Sequence, residues 1–316
     1  MDPLPDRAPP PSVPVRKSAL AFFGVLLVLW VPGALAQGAT LPWGLAWTEL
    51  FGFLLSALIA TAGSNLRPGP YLRLGPVRPA ALAVGALAGA AGYLVAGSIL
   101  SLTQRLLPGR ISDLFDPLRL FEGPRSEQLA LAAVAIFLAP ACEEIAFRGY
   151  VQTTLGLRRG PAAAVMGAAV LFALLHMNPV LFPALVVLGA IFGWLAWRAG
   201  SIWPAVVAHA VNNAISSALA LAGPVAQAEP PPLSVIGAAM ALGGGALLAI
   251  GAIYRTLTPD PPPLSGAVAL RDGGDASTRF SPARVPSGLA VATFAGAALL
   301  AALLAAGPVA GRLHGR

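Results

Sequence analysis

Apolar runs recur along this chain at residues 18–36, 43–63, 80–103, 128–156, 161–177, 180–198, 201–221, 233–254 and 286–310. Each is close to the ~20 residues a helix needs to cross a bilayer. In hydrocarbon the backbone must satisfy its own hydrogen bonds, so runs of this length predict helices. The pattern therefore predicts an all-α, polytopic transmembrane helical bundle with eight to nine spans. Between the runs the composition changes. Residues 1–17 are proline-rich and polar and read as a disordered tail, and the Pro/Gly-rich segment 256–285 reads as a flexible loop. The segment 111–121, ISDLFDPLRLF, mixes Leu and Phe with alternating charges and is expected to lie along the membrane surface. Four regions follow: the tail 1–17, N-terminal transmembrane helices with the interfacial segment (18–127), a central group of helices (128–221), and C-terminal transmembrane helices with the loop (222–316). No convincing internal repeat is present.

Composition agrees with this reading. Of 316 residues, 57% are hydrophobic and only 10% charged, where a soluble domain carries about 25%. The net charge of +7 is not a nucleic-acid signature, because every base except Lys17 is an arginine and most fall between apolar runs. Arginines gather before the first run, at 67, 73 and 78, at 158 and 159, at 198, and through 255–284. Alternating spans put these loops on one side, which the positive-inside rule makes cytoplasmic. Richness in Ala, Arg, Gly and Pro points to a bacterial inner-membrane protein. Arg16 and Lys17 precede the first run, and Ala34-Leu35-Ala36 has the form of a signal-peptidase site. A retained first helix is the expectation, since a polytopic protein needs no cleavable signal. Cys142 is the single cysteine, so an intrachain disulfide and a cysteine metal cluster are both excluded.

Against this background, ionisable groups inside apolar runs are functional candidates. Of 13 acids only Glu49, Glu143 and Glu144 qualify, and of three histidines His176 and His209 do. Runs four and five are joined by LRRGP, residues 157–161, a tight turn between antiparallel helices. Glu143 and His176 are equidistant from its midpoint, so both should lie roughly 20–25 Å along their helices from that turn, at one depth. Adjacent glutamates cannot share a helix face. Glu144 pairs with Arg148 at i,i+4, which leaves Glu143 free to point elsewhere. His209 and Asn213, and likewise Phe172 and His176, also stand at i,i+4.

A desolvated carboxylate can act as general base towards water. A facing histidine can share that water, and a second His with an Asn can donate to the oxyanion of a tetrahedral intermediate. Glu143, His176 and His209 are equally an acceptable zinc set, and residue types do not choose between the two versions. Structural readings stand beside these. An intramembrane His or Asn can be packing glue between helices, and a Glu–Arg pair at this spacing is usually structural. Glu49, without a matching partner, reads as interfacial or locally hydrogen-bonded, and Cys142 as a small core residue.

Taken together, Glu143-Glu144-x-x-x-Arg148 within EEIAFRGY, Phe172-x-x-x-His176 and His209-x-x-x-Asn213 resemble the three motifs of the CPBP intramembrane proteases, the CAAX prenyl endopeptidase type II and bacteriocin-processing relatives. The resemblance covers about residues 128–220. It implies a bundle of about eight helices whose 128–221 core is catalytic, with Glu143 and His176 activating water and His209 with Asn213 stabilising the oxyanion. Glu144, Arg148 and Phe172 match supporting motif positions. It further implies a membrane-associated peptide or protein substrate, prenylated or CAAX-like at its C-terminus or of another kind, and either a zinc ion or a metal-free glutamate mechanism. Two other classes fit intramembrane Glu and His: a proton-coupled transporter and a non-catalytic bacteriocin-immunity protein. A rhomboid-type serine protease is disfavoured by the absence of a Gly-x-Ser-Gly motif.

Overall fold

The computed structural model describes residues 15–222 and 231–258. Eight helices carry the fold: α1 (Val15–Ala39), α2 (Leu41–Ala62), α3 (Pro79–Leu106), α4 (Arg125–Gly156), α5 (Pro161–Leu175), α6 (Phe182–Ala199), α7 (Trp203–Leu221) and α8 (Leu233–Leu257). Prolines stand in the first turn of α3, α5, α6 and α7, where a missing N–H has no intrahelical partner to lose. Gly200 ends α6 with φ 67, the left-handed cap a side chain would resist.

Seven of the eight are long and apolar enough to cross a membrane. The exception is α5. Its 15 residues end at Leu175, so His176 caps the helix rather than lying within a span as the run 161–177 implied. The cause is local. Met177 adopts φ 49, and the Asn178 carboxamide oxygen accepts from the backbone N–H groups of Val180 and Leu181, both at 3.0 Å, which starts the next helix. The segment 111–121 forms the end of a short helix, Gly109–Leu114, and a 3-10 turn, Pro117–Phe121, opened by Asp116 accepting from Leu118 N–H. Residues 15–17 of the expected tail belong to α1. Residues 1–14, most of the loop 256–285 and the apolar run 286–310 lie outside the described residues.

There are two apolar cores among the described residues, and Leu185 of α6 packs against both. One joins Phe22 and Leu26 of α1, Phe53 and Ala57 of α2, Phe147 and Tyr150 of α4 and Phe172 of α5. The other joins α3, α6, α7 and α8 through Val84, Leu188, Phe192, Ala205 and Tyr254. Helix α1 is part of this packing. Ser18 Oγ donates to the Ala60 carbonyl at 3.2 Å, so the Tyr150 hydroxyl 2.6 Å away must be the donor to Ser18. Phe22 stacks on the same tyrosine at 4.5 Å.

The arginine-bearing segments share one end of the bundle. There Ile202 N–H donates to Arg73 O and Ser201 Oγ to Gly75 O, at 3.1 and 2.6 Å. Burial lowers the Arg73 guanidinium to about 10 and raises the neighbouring Tyr71 phenol to about 12. At the opposite end Arg125 donates to Leu221 O at 2.8 Å and Asn178 to Phe115 O at 2.9 Å.

Close approach of α3 to α7 depends on Gly85 and Gly89, spaced as in small-residue membrane contacts. A Cβ at either would collide with the backbone carbonyl of Pro204 or Ala208, the latter adjacent to His209. Gly97, on the same helix, has open space around it. Gly89→Ala should therefore destabilise the fold by about 1–3 kcal/mol through overpacking. Gly97→Ala should be neutral or stabilise by up to about 1 kcal/mol, from helix propensity alone. Thermal midpoints of the two purified variants in one detergent check the contrast.

Candidate active site

Helix α4 is not a uniform α-helix. Pro140 has no N–H, and its ring crowds the carbonyl four residues back, at Ile136. The backbone answers with a wide π turn over Val134–Leu138. A second π turn spans Ile145–Val151, and the α-helical Ala139–Glu144 between them carries the two glutamates. Such turns recur at functional sites because they re-aim side chains without ending the helix.

Glu144 and Arg148 form a pair sealed from solvent. Arg148 Nη1 donates to Glu144 Oε1 at 2.7 Å, with both side chains 0% exposed. Its Nη2 donates to Gly189 O on α6 at 3.1 Å, and its guanidinium lies 4.5 Å from the Phe172 ring centre. The same Glu144 oxygen accepts from His209 Nδ1 at 3.0 Å. Because that carboxylate is already paired with Arg148, Nδ1 is the protonated nitrogen of His209. Phe192 stacks on the His209 ring at 5.0 Å, 22° from parallel. Arg148, Glu144 and Phe192 together fix His209 so that Nε2 faces the other glutamate.

Glu143 faces two histidines. His176 Nε2 lies 3.9 Å from Oε1, and His209 Nε2 lies 3.6 Å from Oε2. His176 Nδ1 is 2.8 Å from the Phe172 carbonyl, which can only accept, so Nδ1 carries the proton and the Nε2 lone pair turns towards Glu143. Both separations exceed a direct hydrogen bond, and Glu143 Oε2 is buried without a hydrogen-bond partner. The group is open on one side: the His176 side chain is 29% exposed against 8% for Glu143 and 6% for His209.

Asn213 stands one turn beyond His209 on α7. Its Nδ2 donates to Ala135 O at 2.8 Å, inside the first π turn, and its Oδ1 accepts from Asn212 at 3.1 Å. One amide hydrogen of Asn213 is thus held by α4 and the second is uncommitted. As for the zinc set, the two imidazoles address different oxygens of the Glu143 carboxylate rather than a common point with it. Among the described residues no group of three His, Cys, Asp or Glu side chains is arranged to hold a metal ion. Glu143, His176 and His209 in this arrangement do not fit one.

Four residues escape a motif reading. Asn178 clamps the turn after His176, and the Asn-Pro pair at 178–179 is a turn signal that could have marked it. Gly85 and Gly89 set the position of α7 through a spacing that is visible in the sequence. Glu49, expected to be interfacial or locally hydrogen-bonded, is not interfacial: it is 1% exposed in the π turn Thr48–Leu54 of α2, and its side chain hydrogen-bonds that of Glu143 on another helix. Helices α2 and α4 are separated by α3, so no tight-hairpin argument could pair their depths.

The fold and this interior cluster define a polytopic helical membrane protein with a buried Glu–His–Arg centre. Residues 125–215 match the family model described as Type II CAAX prenyl endopeptidase Rce1-like. The match covers under a third of the chain, agrees with the CPBP resemblance, and includes all three motifs. The Rce1-like family is one of proteases. No curated protein and no solved structure matches the chain.

Proposed function

We propose that this protein is an intramembrane endopeptidase of the bacterial inner membrane. Its substrates would be membrane-associated peptides or proteins, with prenylated or CAAX-like C-termini the class suggested by the family. The observation that carries this reading is Glu143, a buried carboxyl set between two histidine Nε2 atoms at 3.9 and 3.6 Å.

A water placed off the axis between Glu143 Oε1 and His176 Nε2 would lie within hydrogen-bond distance of both. Glu143 takes one of its protons as the water oxygen bonds to the scissile carbonyl carbon. Negative charge then develops on the carbonyl oxygen. The uncommitted hydrogen of the Asn213 amide can donate to it, beside His209, which Glu144 holds through Nδ1–H. As the C–N bond breaks, Glu143 returns its proton to the leaving amine. No step here passes through a metal, because the donor atoms do not converge.

The test uses purified protein in nanodiscs with fluorogenic membrane-anchored peptides, prenylated and unprenylated, and compares wild type with Glu143→Ala and His176→Ala. The proposal expects cleavage by wild type, loss in both variants and no effect of phenanthroline. Cleavage that persists in both variants removes the residues from the chemistry, and inhibition by the chelator reversed by zinc overturns the metal-free route.

A further inference from the structure

Glu49 is the one acidic side chain of the membrane interior that neither the motifs nor the mechanism above uses. It lies at 1% exposure on α2, remote in sequence from every motif residue. Arg148 and the two interior imidazoles pair with Glu143 and Glu144 rather than with Glu49. The partner of Glu49 is the Glu143 carboxyl, and the Cys142 thiol is the other ionisable group facing it. Two carboxyl groups can hydrogen-bond each other only with a proton between them. Glu143 has histidines against both of its oxygens, whereas Glu49 has none. The arrangement therefore makes Glu49 the neutral donor and Glu143 the acceptor. Glu49 Oε2 is buried and has no other hydrogen-bond partner.

From this contact and burial we infer that Glu49 is a positioning residue for the reaction: as a neutral acid it holds the Glu143 carboxylate in the rotamer that faces His176 and His209. The inference rests on the endopeptidase reading for its kinetic consequence, but not for the contact itself. Placing the donor on α2 also ties catalysis to the seating of the N-terminal helices against α4.

The experiment therefore has two arms. In the first, which needs no substrate, infrared difference spectra of the full-length protein in nanodiscs are recorded in H2O and D2O at pH 7. The C=O stretch of a protonated carboxylic acid, with its deuterium shift, should be present in wild type and in Glu143→Gln and absent in Glu49→Gln. In the second, Glu49→Gln, which keeps an N–H donor in a side chain of the same shape, should retain kcat within about threefold. Glu49→Leu, which fills the space without a donor, should lose about 10- to 100-fold in kcat with KM unchanged, a fraction of the general-base effect. Unchanged kcat in folded Glu49→Leu, a Glu49→Gln as impaired as Leu, or no band lost in Glu49→Gln would each overturn the inference. If Glu49→Leu does not fold, the infrared band and Glu49→Gln still decide it. Failure of the endopeptidase reading would show separately, as cleavage that survives Glu143→Ala.

Discussion

Glu143→Gln should lower kcat by about three orders of magnitude, within the 10²–10⁴ range of general acid–base catalysis, while KM and the thermal midpoint stay near wild type. The substitution preserves the shape of the side chain, and the amide oxygen can still accept the hydrogen bond from Glu49. What it removes is the capacity to take a proton from water and give it to the leaving amine. Nothing else in the cluster can substitute. Glu144 is occupied by Arg148 and His209, and His176 offers one lone pair on the side of the carboxyl where the water must already be held. Steady-state kinetics on a cleaved fluorogenic peptide, with a melting curve on the same preparation, separate the two effects. A fall in stability matching the fall in rate would mean that Glu143 is a packing residue.

The second large effect concerns Arg148. Arg148→Met strips the buried Glu144 carboxylate of its cation in a place with 0% exposure, and breaking a buried pair from one side typically costs about 3–5 kcal/mol. It also releases the tether to Gly189 O on α6. The expected result is little monodisperse protein on size exclusion. The double variant Glu144→Gln/Arg148→Met should recover much of the stability, since an uncharged pair leaves no orphaned charge. It should not recover activity, because a neutral amide in place of the Glu144 carboxylate no longer holds His209 Nδ1 as firmly. Arg148→Lys should rescue neither, for one ammonium cannot reach Glu144 and Gly189 in the forked geometry of a guanidinium. Equal stability of Arg148→Met and the double variant would remove the charge argument.

The pairing of Glu143 with His176 was legible in the sequence because a tight turn between antiparallel helices converts residue counting into depth. The structure brings the two side chains to 3.9 Å. That Glu143 and Glu144 have different partners was legible for a similar reason, since helical geometry forbids adjacent residues a common face. Other features needed a third dimension. Counting along α5 gives no sign that it stops at His176, because the apolar run continues through Met177 while the backbone does not. Glu49 has no turn to count from, and its contact depends on how α2 seats against α4. The π turns of α4 follow in part from Pro140, but the one after Glu144 has no comparable residue to announce it. Eight of the nine apolar runs coincide with helices among the described residues, because length and greasiness are local properties. Which faces meet is decided by backbone approach at Gly85 and Gly89, where what matters is an absent side chain.

The shortness of α5 bears on how water gets into a bilayer. Fifteen helical residues rise about 22 Å, against a hydrocarbon thickness of about 30 Å. The balance is made up by the irregular backbone from His176 to Leu181, knotted by Asn178. Non-helical backbone at that depth is stable only where protein covers it or where it borders an aqueous recess. The turn that truncates α5 is covered on one side by the segment carrying Phe115, whose carbonyl accepts from Asn178, and its open side, where His176 stands, would then be the place for water to enter.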